Sequence, residues 1–123
     1  MDATVWALID SGCEHILASP GLARAIDANL GAASRKVDLG IGGDTVSFSF
    51  VDTVVRIHPP DASVDEFIEW ETEVGFGGAW KAPWSILLGQ SGFFDRFTIS
   101  MHRQIARVVV DEYGAIDRTY GVR

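Results

Sequence analysis

The chain has little cysteine, little positive charge and no long apolar run, and each shortage excludes a class of protein. One cysteine, Cys13, stands among 123 residues. An internal disulfide framework is therefore impossible, and such usage fits a reducing compartment, so a cytoplasmic protein is expected. No apolar stretch approaches the ~20 residues that span a bilayer, and no basic segment followed by an apolar one opens the chain as a secretory signal would. No membrane partner is expected. Ten Lys and Arg against seventeen Asp and Glu leave a net charge of −7, which argues against a nucleic-acid binder that tracks phosphates with a basic stripe. The three histidines, His15, His58 and His102, lack metal-ligand spacing. No metal and no cofactor are expected.

What is present is β-rich. Ile68, Trp70, Thr72 and Val74 alternate with Glu69, Glu71 and Glu73, and Val46, Phe48 and Phe50 alternate with Ser47 and Ser49; period-2 alternation marks half-buried strands. Phe97, Ile99 and Met101 read as one strand of a hairpin, with a polar turn at His102-Arg103 leading into Ile105 to Val110. With Thr4 to Ile9, Val37 to Ile41, Thr53 to Ile57 and Trp84 to Leu88, seven or eight short strands are predicted. Ser19 as N-cap, Pro20 at the first helical position and an apolar stripe at Leu22, Ile26 and Leu30 predict a helix over Pro20 to Asn29, ended by Gly31. A second, shorter helix is expected over Ser91 to Arg96. Pro59-Pro60 marks a connection. The charges Asp61, Asp65, Glu66, Glu69, Glu71 and Glu73 read as a solvated strand face, or else as an attraction for a basic peptide. Trp70, Phe76, Trp80 and Trp84 are candidate core residues. Residues 1–110 read as one domain and 111–123 as a C-terminal tail. Trp6 to Gly12 and Trp84 to Gly92 echo each other: a tryptophan, an apolar run and a closing Ser-Gly.

Asp10-Ser11-Gly12 follows the apolar run Val5-Trp6-Ala7-Leu8-Ile9 directly. A carboxylate at the end of a buried strand loses solvation unless partners supply hydrogen bonds. Serine can supply one through Oγ, and glycine lets backbone N–H groups approach closely. Asp10 is equally good turn chemistry as an Asx residue. Cys13 and His15 beside it suggest a thiol nucleophile, but no third group is placed to orient them.

Two further elements follow in order: a glycine-rich hairpin candidate at Leu39-Gly40-Ile41-Gly42-Gly43-Asp44, then Ile86-Leu87-Leu88-Gly89 before the short helix. This order resembles the retropepsin-like aspartic proteases, which include retroviral proteases and a domain of ubiquitin-shuttle proteins. The resemblance covers Val5 to Val110 and implies a small closed β-barrel with one helix after the catalytic loop and a short C-terminal helix. It implies that Asp10 is catalytic, that Ser11 braces the loop across two subunits, and that Gly12 permits the tight turn. Leu88 and Gly89 would support the loop from below. Ile41, Gly42, Gly43 and Asp44 would form a flap over a polypeptide substrate. Because the chain carries one Asp-Ser-Gly, the two carboxylates this chemistry needs would come from a homodimer. Two features depart from the pattern. Only nine residues precede Asp10, where relatives carry another strand, and Gln90 stands where many relatives have a charged residue tying loop to helix. The alternatives are an inactive peptide-binding or assembly module on the same scaffold, and a small β-barrel ligand carrier.

Overall fold

The computed structural model describes residues 1–59 and 67–112. The protein is mainly β. Six strands form one sheet in the order β1-β6-β2-β5-β4-β3: β1 (Ala7–Ile9), β2 (Leu17–Ala18), β3 (Arg35–Ile41), β4 (Asp44–Ile57), β5 (Ile68–Gly77) and β6 (Ile86–Leu88). Among the described residues, the strands β7 (Phe97–His102) and β8 (Arg107–Glu112) pair only with each other. The expected closed barrel is therefore not what the described residues form. Among the described residues β1 and β3 are the edges of one sheet, and the hairpin is a second, two-stranded sheet.

Strand β6 is the centre of the topology. It runs parallel to β1, with Leu8 opposite Leu87, and antiparallel to β2, with Leu17 opposite the same Leu87. Two strands close in sequence are thus separated by one that comes some seventy residues later. The echoing segments around Trp6 and Trp84 are parallel neighbours across this pairing.

The helix α1 (Pro20–Ala25) starts as expected, with Ser19 Oγ accepting from the Leu22 N–H at 3.0 Å. It ends sooner than the apolar stripe predicts. Asp27 takes the left-handed conformation at φ 55°, its N–H bonds the Arg24 carbonyl, and the Ala28 N–H bonds the Ala23 carbonyl. That pair of bonds is a Schellman cap with aspartate in the place usually held by glycine. Leu30–Ala32 then forms a separate 3-10 turn. The expected helix over Ser91 to Arg96 is a series of hydrogen-bonded turns instead, interrupted where Gly92 sits at φ +100°. Val46–Phe50 and Thr53–Ile57 merge into the single long β4. The hairpin of β7 and β8 turns through a 3-10 turn at Arg103–Ile105 with Ala106 left-handed, so its second strand begins at Arg107. The tail from residue 113, and Asp61, Asp65 and Glu66, lie outside the described residues.

Two apolar clusters fill the interior. The larger joins Ile16, Ala18, Ala23, Trp70, Val74, Phe76, Ile86, Leu88, Phe93 and Phe97, with Ile99 and Val110 of the hairpin packed against it. Trp70 is the junction between the sheets: its ring meets Phe97 edge-on at 4.8 Å, and its indole N–H donates to the Gly92 carbonyl at 2.8 Å. The smaller cluster holds Leu17, Phe48 and Phe50, with Cys13, Val37, Leu39, Val46 and Trp80 around it. Of the four aromatic core candidates, Trp70 and Phe76 are buried, Trp80 is half-buried and Trp84 is exposed. Glu69 and Glu71 are solvated; Glu69 pairs with Arg56 and Glu73 with Arg35 across the strands. No helix among the described residues is long and apolar enough to cross a membrane.

Phe93 is fully buried among Trp70, Phe94 and Phe97. Phe93→Ala is expected to cost about 3–5 kcal/mol of stability through lost transfer energy and the cavity left behind. Urea unfolding measures it, and a cost below about 1 kcal/mol would contradict this packing.

Candidate active site

The site begins where β1 runs out. The parallel ladder continues one residue past Ile9, with the Asp10 N–H donating to the Leu88 carbonyl at 2.9 Å. The chain then turns: the Cys13 N–H donates to the Asp10 carbonyl at 3.1 Å, closing a β-turn over Ser11 and Gly12. Gly12 is absent from the residues with positive φ, so the turn is not of type II. Inside it, the Gly12 N–H donates to Asp10 Oδ1 at 3.0 Å. A carboxylate oxygen that accepts a hydrogen bond from a backbone donor is the satisfied form of the strand-end aspartate. Asp10 is half-buried, while Ser11 is exposed and its hydroxyl makes no hydrogen bond among the described residues.

The segment after β6 holds the turn from the side. Gln90 N–H donates to the Cys13 carbonyl and Ser91 N–H to the Glu14 carbonyl, both at 2.8 Å. The Gln90 side-chain amide reaches the Ser11 carbonyl at 2.7 Å. Gly89 immediately precedes these donors, and a Cβ placed there would sit 2.2 Å from the His15 carbonyl oxygen and 2.4 Å from that of Cys13. No side chain fits. The structure thus brings Asp10, Ser11, Gly12 and Leu88 together by hydrogen bonds, with Gly89 beside them by close approach.

Ile41, Gly42, Gly43 and Asp44 form the tip of the β3–β4 hairpin, with Ile41 paired to Asp44. Gly42 and Gly43 adopt φ 59° and 86°, which a two-residue hairpin turn with positive φ at both positions demands. No hydrogen bond or ion pair among the described residues joins this tip to the Asp10 turn. The connection runs lower down: Cys13 shares an apolar cluster with Val37, Leu39 and Val46 of the hairpin. The tip is tied instead to the β5–β6 loop, where Lys81 Nζ lies 2.9 Å from Asp44 Oδ2.

Cys13 is half-buried and its thiol donates to the His15 carbonyl at 3.2 Å. Burial pushes this thiol above its ordinary pKa, the backbone bond acts against the shift, and the carboxylates of Asp10 and Glu14 add to it. A nucleophilic cysteine needs the opposite shift, so the thiol reading of Cys13 and His15 loses its support. Among the described residues no three His, Cys, Asp or Glu side chains converge to hold a metal. An open cleft of about 290 Å³ lies behind the turn, lined by His15, Arg35, Phe50, Glu73, Ser91 and Arg96 among others, and Asp10 does not reach it.

Sequence reasoning missed the Gln90 amide bond and the Lys81–Asp44 pair. Both join residues far apart in the chain, and neither carries a local pattern. Compared with family models, curated proteins and solved structures, the chain matches none.

Gly89→Ala is expected to cost about 3 kcal/mol or more, because two backbone carbonyls occupy the space. Gly40→Ala, with nothing within 4 Å, is expected to stay within about 0.5 kcal/mol of the parent. Equal urea midpoints for the two variants would refute the close approach at Gly89. For Cys13, iodoacetamide at pH 8 is expected to label the folded chain more slowly than the urea-unfolded chain. The gap should persist to pH 9, since a raised pKa leaves less thiolate at any pH below it.

Proposed function

We propose that the chain is one half of an aspartic endopeptidase, with two Asp10 carboxyls from a homodimer sharing the catalytic work. The observation that carries this reading is the Asp10-Ser11-Gly12 turn: a carboxylate oxygen held by a backbone donor, seated on Leu88 and Gly89. The glycine-tipped hairpin, which shares an apolar cluster with Cys13, and the Ser11 hydroxyl, exposed and without a hydrogen bond among the described residues, support it. Retropepsin-like proteases are the family this arrangement suggests.

The chemistry requires two carboxyls in different protonation states. One, ionised, takes a proton from water as the water oxygen bonds to the scissile carbonyl carbon. The other, protonated, gives its proton to the carbonyl oxygen. When the tetrahedral intermediate collapses, a proton passes to the amide nitrogen and the C–N bond breaks. Close carboxyls divide these roles because both cannot ionise cheaply together, and their apparent pKa values belong to the pair. An extended peptide would lie under the β3–β4 hairpin, read by alternating pockets. No cofactor is needed.

The two-fold axis must pass beside the turn. Two β1 edges paired antiparallel about Leu8 would hold the Asp10 positions four residues of rise apart, about 13 Å, out of mutual reach. The dimer of this reading therefore meets through the turns.

A second reading, an inactive peptide-binding or assembly module, rests on the open edge of β1 beside Asp10, where Trp6 is 77% exposed. The edge suits pairing with another chain's strand, which needs no dyad.

Digestion of a peptide library by wild type and Asp10→Asn tests the first reading. Cleavage is expected with an acid-shifted, bell-shaped pH profile, and the variant should lose about a thousandfold or more of it. Undiminished cleavage by Asp10→Asn would remove Asp10 from the chemistry. A strictly monomeric mass at tens of micromolar, measured by sedimentation, would favour the second reading.

A further inference from the structure

We propose that Gln90 is a positioning residue that sets the Asp10 carboxyl through the Ser11–Gly12 peptide; the inference rests on the reading of Asp10 as an acid–base group. The Gln90 side-chain amide donates to the Ser11 carbonyl oxygen at 2.7 Å, and the Gly12 N–H donates to Asp10 Oδ1 at 3.0 Å. These are the two ends of one trans peptide plane, whose C=O and N–H point in opposite directions. Holding the oxygen on one side aims the N–H at Asp10 on the other.

The plane needs holding. It is the middle peptide of the Asp10–Cys13 turn, and the two common turn types differ by rotation of that unit. The flipped form requires positive φ at the third residue, which here is glycine and so carries no steric penalty for it. Rotation would withdraw the N–H from Asp10 and present the Ser11 oxygen to a carboxylate, acceptor against acceptor. Gln90 is tied by its own N–H to the Cys13 carbonyl, so its side chain starts from a fixed point beside the turn. A bond accepted by the carbonyl also polarises the peptide and strengthens what its N–H donates. The donor, rather than the packed volume, carries the effect, because Gln90 is exposed.

Three variants separate these roles: Gln90→Ala removes the side chain, Gln90→Glu keeps its shape without the donor at neutral pH, and Gln90→Lys keeps a donor. Solvent exchange of the Gly12 amide, read by NMR, reports the peptide whether or not the chain cleaves anything. It is expected to quicken about three- to tenfold in Gln90→Ala and Gln90→Glu, as the loss of one hydrogen bond implies, and to recover in part in Gln90→Lys. Amides of the β4–β5 ladder should not change. In an active dimer kcat should fall by the same factor with KM within twofold. Unchanged Gly12 exchange in Gln90→Ala and Gln90→Glu overturns the proposal. So does quickened exchange with an unchanged kcat in a cleaving enzyme. Quickened exchange in a chain that cleaves no peptide leaves the positioning in place and overturns only the protease reading.

Discussion

The backbone at Gly89 approaches the carbonyls of Cys13 and His15 more closely than any side chain allows, and the Asp10 turn depends on that approach. With a Cβ at 89 the two segments would separate, and the bonds from Gln90 to Cys13 and from Ser91 to Glu14 would lengthen together. These bonds are what hold residues 11–14 beside the end of β6. The glycine here serves close approach rather than unusual torsion, since its φ is not positive. The threading of β6 between β1 and β2 fits the same contact: the strand that leads into Gly89 lies against both arms of the loop that joins them.

The turn is held on two sides by different kinds of force. Toward β6 the holding is by directed hydrogen bonds, each worth roughly 0.5–1.5 kcal/mol net. Toward the hairpin it is apolar contact, with Cys13 packed on the Leu17, Phe48 and Phe50 cluster that Val37, Leu39 and Val46 also cover. Directed bonds fix angles, as the proposed acid–base role of Asp10 would require. Apolar contact tolerates sliding, which would suit a hairpin that admits a peptide in the proposed protease. The raised pKa of Cys13 is a by-product of that division, since the thiol belongs to the packed side of the turn.

How much of this was legible in the sequence depends on the range of the interaction concerned. The alternation of Ile68, Trp70, Thr72 and Val74 with three glutamates located β5, and Gly42-Gly43 located the hairpin turn, because both signals lie within a few residues. The helix from Pro20 ends at Ala25, four residues before the Asn29 that the apolar stripe predicts. Leu22, Ile26 and Leu30 do form a stripe, but Asp27 adopts a left-handed cap that aspartate tolerates without announcing it. Two-residue β2 was invisible, since Leu17–Ala18 is a strand only through its partners Leu87 and Gly75. The closed barrel came from the resemblance rather than from any pattern, and the open edges at β1 and β3 do not form it. At the site, Asp10, Gly12 and Gly89 were legible as residue types in order. Gln90 stood out only as a missing charge, and its amide bond to Ser11 required knowing which segments meet.

Two unequal forces hold the β3–β4 hairpin: the Lys81–Asp44 ion pair at its tip and the apolar packing at its base. The Lys81–Asp44 pair is well aligned at 2.9 Å, yet its side chains are 84% and 62% exposed. An exposed pair contributes roughly 0–1 kcal/mol and is screened by salt. At the base, Phe48 is fully buried and Val37, Leu39 and Val46 pack on its cluster, and each largely buried aliphatic or aromatic side chain contributes about 1.5–3 kcal/mol. The base therefore sets the hairpin's position, and the ion pair only biases the tip about that fixed root. In the proposed protease, a hairpin rooted this way would shift at its tip while its apolar base stays packed.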